Sequence, residues 1–179
     1  VILEHCGFID KYIGDGIMAL FACGVDDSVH AAIAMLQSLN SRNQERLHHG
    51  KDPIRIGIGI NTGILTLGTV GGKKRMDTTV IGDAVNLASR LETLTKEYGA
   101  KIVVSGETLS QLPHPENYKH RFLGKIQVKG KTQKVPVFEI YHADGEDQQR
   151  LKQDTYQEFE NGVNLYERQN YQEALSCFQ

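Results

Sequence analysis

The feature that most constrains the fold is a Gly-Asp-Gly turn that separates two apolar runs near the start of the chain. Residues 8–11 and 16–21 are strand-forming runs, and Gly14, Asp15 and Gly16 stand between them. Glycine gives the backbone the freedom that a tight turn needs, so the pattern predicts a β-hairpin with Asp15 at its tip. A carboxylate there could bind a divalent cation, although an aspartate in such a turn more often serves the turn itself.

Two amphipathic helices are predicted from the spacing of apolar residues. The first is expected to be capped by Asp26 or Asp27 and to continue to Leu47, and the second to run from Asp83 to Gly99. Apolar residues recur at helical spacing in both: Val29, Ile33 and Leu36 in the first, and Leu87, Leu91, Leu94 and Tyr98 in the second. Each helix should therefore bury one face in a core.

The clearest strand is predicted at residues 54–60, where isoleucines alternate with other residues and glycines occupy the opposite face. Those glycines would let another element approach closely. Residues 101–105, 127–129 and 136–141 are further strand candidates. Strands separated by helices, with hairpins between them, indicate an α+β sandwich with a mainly antiparallel sheet and helices on one face.

The second predicted helix carries two polar side chains that could act together. Asn86 and Arg90 are four residues apart, so they lie on one helix face, displaced from the leucine stripe. An amide beside a guanidinium suits a nucleotide ligand, because the guanidinium offers a planar fork of donors to phosphate. The alternative is a solvated helix surface on which Arg90 contacts Glu92 or Glu97, an interaction of little energetic value.

Composition excludes several other classes of function. The 179 residues have a net charge of −2 with both signs interspersed, so there is no basic field for nucleic acid or an anionic membrane. The longest apolar run is too short to insert into a membrane. Cys6, Cys23 and Cys177 have neither disulfide nor zinc spacing, which predicts reduced thiols in a cytoplasmic protein. The glycine motifs match neither a dinucleotide fingerprint nor a P-loop.

Residues 11–16 together with residues 79–90 resemble the class III adenylyl and guanylyl cyclase catalytic domain of bacterial type, and the match extends over about residues 1–142. The resemblance implies a ferredoxin-like sandwich. It also implies that the sequence is a piece of a longer chain, in which the first strand and helices of the domain lie upstream. Asp15 would bind two Mg²⁺ or Mn²⁺ ions, with a second carboxylate on that upstream strand.

The resemblance also implies an activity, the conversion of ATP to cyclic AMP and pyrophosphate in signal transduction. Asn86 would orient the ribose, Arg90 would stabilise charge on the α-phosphate, and Lys129 would hold the terminal phosphates. Lys11 and Thr79 would read the base, as a donor and an acceptor that match adenine. In this family two chains share each active site, so a homodimer is expected. Two alternatives stay open: a catalytically inert nucleotide-sensing or scaffolding module, and a cyclase with GTP activity.

The last part of the chain has a different composition. Residues 143–154 are predicted to be a polar linker, and residues 155–179 form an amphipathic pattern that resembles one incomplete tetratricopeptide repeat. A single repeat cannot bury its own apolar face, so the resemblance implies further repeats and a possible protein partner. The alternative is a lone regulatory hairpin packed on the first domain.

Overall fold

The fold was obtained as a computed structural model. It describes residues 1–72, 75–128 and 134–179. Within these ranges, residues 69–72, 75–79 and 81 are described by their backbone alone. The strands are β1 Gly7–Ile13, β2 Gly16–Phe21, β3 Ile58–Ile60, β4 Thr66–Gly72, β5 Arg75–Ile81, β6 Ile102–Ser105, β7 His120–Ile126 and β8 Val135–Ile140. The helices are α1 Val25–His48, α2 Asp83–Tyr98, α3 Gly106–Ser110, α4 Glu146–Asp154, α5 Tyr156–Glu167 and α6 Tyr171–Phe178.

A four-stranded sheet in the order β3-β6-β8-β7 forms the centre of the fold. Strands β3 and β6 are parallel, whereas the β6–β8 and β7–β8 pairs are antiparallel. The hairpins β1–β2 and β4–β5 each form a separate two-stranded antiparallel sheet. The α+β class with a mainly antiparallel sheet is therefore confirmed.

The helices cover both faces of the central sheet, which corrects the prediction of helices on one face. Alternate residues of β6 point to opposite sides, so Ile102 and Val104 pack with Val29 and Ile33 of α1. Val103 packs instead with the α2 leucine stripe. The stripe predicted for α2 is buried at Leu87, Leu91 and Leu94, whereas Tyr98 is 41% exposed.

Both long helices begin at glycines rather than at the predicted aspartates. The N-cap residues are Gly24 and Gly82, and neither helix has a side-chain cap. Asp26, Asp27 and Asp83 lie in the first helical turns, where a carboxylate favours the positive end of the helix dipole. The sequence predicted both helix starts within three residues.

The strand predicted at residues 54–60 is formed only over Ile58–Ile60. The backbone of Ile54 is bonded instead to the side chain of Asn43 in α1, whose Nδ2 donates to the Ile54 carbonyl and whose Oδ1 accepts from its amide, both at 2.7 Å. These bonds replace the ladder of a neighbouring strand. The candidate strand at 127–129 was also wrong where it is described, because β7 ends at Ile126.

The segment predicted as a polar linker contains helix α4, which is docked on the sheet. Lys152 of α4 donates to Glu139 of β8 at 2.6 Å and also pairs with Asp144. Helices α5 and α6 form an antiparallel hairpin, and Phe159 of α5 packs against the α2 side of the core. The domain boundaries themselves stay a prediction.

Among the helices that the structure describes, none has the length and apolar character needed to cross a bilayer.

Candidate functional site

Helix α2 is positioned by unusually close packing against the start of the central sheet. A methyl group on Gly59 would collide with the carbonyl oxygen of Ala88 and the backbone nitrogen of Glu92, and one on Gly57 would collide with Thr95. The prediction that these glycines allow a close approach is confirmed, and the approaching element is α2 itself. Because the backbone of Gly59 packs directly against the backbone of α2, the distance between α2 and the sheet is fixed.

A second contact fixes the start of α2. Asn61, which follows β3 directly, donates from Nδ2 to the Ala84 carbonyl at 3.1 Å. Asn61 was not identified from the sequence. A polar amide placed immediately after an isoleucine-rich strand was the available signal.

Asn86 and Arg90 line a single cleft on the outer face of α2. The cleft has a volume of about 540 Å³ and is also lined by Asp83, Ser89 and Glu97. Both side chains are exposed and displaced from the buried leucine stripe, as predicted, although Leu94 of that stripe also lines the cleft. Among the residues that the structure describes, no ion pair joins Arg90 to Glu92 or Glu97, so the alternative of a paired surface arginine finds no support. An amide and a guanidinium therefore face one ligand-sized space.

Asp15 lies at the exposed tip of the β1–β2 hairpin, as predicted. Gly14 has φ +63°, a conformation that favours glycine, and this residue makes the tight reversal possible. An exposed carboxylate offers the hard oxygen that Mg²⁺ or Mn²⁺ prefers, so Asp15 fits as one ligand. It does not line the α2 cleft. One chain thus presents the carboxylate and the amide–guanidinium pair at separate places.

Lys11 lies beside a β-bulge in β1. Ile9 pairs with Ala19 and Lys11 with Met18, so Asp10 is the additional residue. The Asp10 side chain is only 5% exposed, and its Oδ2 lies 3.3 Å from Nζ of Lys11. No hydrogen bond from a described residue reaches that oxygen, so the contact is a charge pair without directed hydrogen-bond geometry. Asp10 was not identified from the sequence, although an acid next to a base inside an apolar strand was a visible signal.

The other two predicted site residues are Thr79, of which the structure describes only the backbone, and Lys129. Thr79 lies in β5 opposite Gly68, and its side chain is outside the description. Lys129 lies outside the described residues altogether. The roles assigned to both stay predictions.

The family model for the adenylate and guanylate cyclase catalytic domain matches residues 9–142, about three quarters of the chain. The chain belongs to this family. The matched range contains Asp15 with most of its hairpin, helix α2 and the whole central sheet of this cyclase domain. Members of the family generally use divalent metal ions.

The curated relatives of the cyclase domain include two adenylate cyclases. The chain is 49% identical over 143 residues to an adenylate cyclase of Anabaena cylindrica. The aligned segment covers 76% of this chain and 28% of the relative. The chain is also 39% identical over 184 residues to the terminal-differentiation specific adenylate cyclase of Dictyostelium discoideum, covering 99% of this chain and 9% of the relative. The chain thus spans less than a third of the length of either relative.

Solved structures similar to the cyclase domain include enzymes named for both bases. The adenylyl cyclase CyaB from P. aeruginosa has a TM-score of 0.62 at 35% identity, with 77% of this chain and 73% of that chain covered. The guanylyl cyclase Cya2 has a TM-score of 0.63 at 32% identity, with 81% and 74% covered. The fold is therefore shared by relatives of both specificities.

Proposed function

We propose that this domain belongs to an adenylyl cyclase that converts ATP to cyclic AMP and pyrophosphate in signal transduction. The observation that carries the proposal is the cleft on α2, where Asn86 and Arg90 face one space of about 540 Å³. The similarity to adenylate cyclases supports the same conclusion.

The reaction requires that the ribose 3′-oxygen be positioned against the α-phosphorus and that the negative charge of the transition state be stabilised. A bond forms between the ribose 3′-oxygen and the α-phosphorus, and the bond from that phosphorus to the β-phosphate oxygen breaks, so that pyrophosphate leaves. The proton of the 3′-hydroxyl is released to solvent. Asn86 orients the ribose through its amide. Arg90 donates to the α-phosphate oxygens, where charge increases in the transition state, and a preorganised donor of this kind is most effective there.

Asp15 holds the divalent ions in the proposal. The exposed carboxylate supplies oxygen ligands for Mg²⁺ or Mn²⁺, two ions per site. When bound, such ions lower the pKa of the attacking hydroxyl and neutralise charge on the triphosphate. The chain contributes the position of the ligand, which is set by the turn at Gly14.

Lys11 and Thr79 read the base, and Lys129 holds the terminal phosphates. An ammonium donor and a hydroxyl acceptor complement the ring nitrogen and the amino group of adenine in that order. A hydroxyl can also donate, so Thr79 is a less exclusive acceptor than a carboxylate. ATP is therefore the preferred substrate, with some tolerance of GTP.

Two copies of the chain share each site in this proposal. Asp15 does not line the cleft that contains Asn86 and Arg90, so a twofold dimer that brings the hairpin tip of one copy to the α2 cleft of the other would complete the site. The α5–α6 hairpin, with its repeat-like pattern, offers a surface for a protein partner.

GTP is the second candidate substrate, because the guanylyl cyclase Cya2 is about as similar in fold as the adenylyl cyclase CyaB. Cyclic nucleotide formation from ATP and from GTP by the purified full-length protein decides between them. A higher kcat/KM with ATP supports the proposal, and a higher value with GTP contradicts it.

The cleft itself is tested by Arg90→Ala in the full-length protein. We expect kcat to fall by about 10²- to 10³-fold, because one transition-state donor is lost. Arg42→Ala is the matched control, since Arg42 is an exposed arginine of α1 paired with Glu45, and it should leave kcat unchanged. Undiminished turnover by Arg90→Ala would contradict the assignment. ATP binding without turnover in the wild-type protein would favour a nucleotide-sensing module.

A further inference from the structure

Two cysteines and an aspartate meet at the base of the β1–β2 hairpin, at the end opposite Asp15. Cys6 precedes β1, Cys23 follows β2, and Asp27 lies in the first turn of α1. Their two sulfurs and a carboxylate oxygen all lie within 4.8 Å of one another. No other group of three or more potential ligands of this kind occurs in the part of the chain that the structure describes.

The backbone brings these side chains together in three ways. The pairing of Gly7 with Phe21 sets the two ends of the hairpin side by side, which places Cys6 near Cys23. Cys6 has φ 56°, a left-handed conformation that is uncommon outside glycine. The carboxylate of Asp27 folds back over the helix start, where its Oδ2 would lie 3.4 Å from a methyl group on Gly24.

The three side chains influence one another in this arrangement. The neighbouring Cys23 thiol, followed by the charge of Asp27, raises the pKa of the Cys6 thiol. Cys6 and Cys23 are exposed, so an ion in solution can reach both sulfurs without opening the core.

We propose that Cys6, Cys23 and Asp27 form a binding site for a thiophilic divalent cation of the zinc class. In a tetrahedral zinc site with Zn–S bonds of about 2.3 Å, two sulfurs lie roughly 3.8 Å apart. The two sulfurs therefore need to close by no more than about 1 Å from their present separation. The fourth position faces solvent and would be taken by water.

This site differs in its chemistry from the one proposed at Asp15. Thiolates select Zn²⁺ and similar ions, whereas Mg²⁺ and Mn²⁺ prefer oxygen ligands. An ion here would join both ends of the hairpin to the start of α1. Because a two-stranded sheet is marginally stable alone, such a crosslink would fix the hairpin that carries Lys11 and Asp15. Ion binding itself does not depend on the proposed cyclase activity.

Cadmium titration of the full chain tests the proposal. Cd²⁺ bound to thiolate gives an ultraviolet charge-transfer band, and Zn²⁺ should abolish it by competition. The titration is done with a phosphine reductant, so that no disulfide competes, and with millimolar Mg²⁺, so that carboxylate sites are occupied. We expect one ion per chain with a Kd of about 1 µM or tighter.

Four variants make the result specific. Cys6→Ser and Cys23→Ser should each weaken cadmium binding by at least ~10-fold, and Asp27→Asn should weaken it while both thiolates keep the band. Cys177→Ser is the matched control, since Cys177 lies in α6, and it should bind as the wild type does. Asp15→Asn should also bind normally, which separates this test from that of the cyclase proposal.

Three results would overturn the site. They are a wild-type chain without the band, a band of full strength in either Cys6→Ser or Cys23→Ser, and equal loss in Cys177→Ser. Circular dichroism of each variant establishes that it is folded. If either serine variant is unfolded, Asp27→Asn decides: unchanged cadmium affinity in that variant contradicts the proposal.

Discussion

Lys11 has a partner that the proposed base recognition depends on. The bulge at Asp10 places a nearly buried carboxylate 3.3 Å from the Lys11 ammonium. A long lysine side chain loses much rotational freedom when it is held, and a fixed charge nearby reduces the freedom that remains to be lost on binding. Asp10 is thus a positioning residue for Lys11 in this account.

Asp10→Asn should therefore affect substrate binding more than turnover. We expect KM for ATP to rise by ~3- to 10-fold while kcat at saturating ATP changes by less than ~2-fold, because only binding common to substrate and transition state is removed. Steady-state kinetics of the full-length protein measure both constants. Asp147→Asn, an exposed aspartate of α4, is the control and should change neither. A fall in kcat at constant KM would rule out the positioning role.

Helix α4 is held by charges that are almost fully removed from water. Glu139 is 1% exposed and accepts from Arg121 Nε at 2.7 Å and from Lys152 Nζ at 2.6 Å. Asp144 is paired with Lys152 and, at 2.9 Å, with Lys101. Lys152 is therefore the cation that both buried carboxylates share, and it comes from the helix that docks on the sheet.

Removal of this shared cation should destabilise the domain. We expect Lys152→Met to lower the free energy of unfolding by about 2–3 kcal/mol, because two buried carboxylates each lose one partner and keep another. Urea unfolding measures the change. Lys96→Met, at an exposed lysine of α2, should change it by less than ~0.5 kcal/mol. Equal midpoints for the two variants would mean that the network contributes no net stability.

The sequence predicted those elements that are specified by turn residues or by the helical spacing of apolar residues. The hairpin tip, helix α1 and helix α2 follow from the Gly-Asp-Gly turn and from leucine spacing, and each formed within three residues of its predicted start. The β4–β5 hairpin and β7 were not predicted. Strand β7 contains Gly124 at φ +126° beside a register shift, so its apolar alternation is broken in the sequence.

The interactions that the sequence could not reveal are long-range. Helix α4 is polar and contains no buried residue, so its local pattern is that of a linker. Its position is explained by long-range contacts: Lys152 pairs with Glu139 and Asp144, and Gln149 accepts a hydrogen bond from Lys119. In the same way, Cys6 and Cys23 show no metal-ligand spacing because strand pairing, not sequence distance, brings them together. The cleft residues Asn86 and Arg90 were predictable since four-residue spacing fixes one helix face.

At the scale of the whole molecule, the proposed active site is made by two chains. The hairpin tip with Asp15 and the α2 cleft are separate places on one chain, and twofold symmetry would form two identical composite sites. Such an arrangement would make dimerisation a condition for activity. It also means that damage to one half of a site can be complemented by a partner copy damaged in the other half.

Mixing two nearly inactive variants of the full-length protein tests this central claim most directly. Asp15→Ala and Arg90→Ala should each keep no more than about 1% of wild-type activity, but a heterodimer of the two has one intact site. When equal amounts of the two variants exchange subunits, half of the dimers are heterodimers. Each heterodimer has one of its two sites intact, so the mixture should recover about a quarter of wild-type activity.

The control is a mixture of Asn86→Ala with Arg90→Ala, in which every site is damaged on its α2 side, and it should recover nothing. Cyclic AMP formation from ATP is the readout for both mixtures. Recovery to about a quarter with the first pair alone is the predicted result. A first mixture no more active than its separate variants would contradict the shared site.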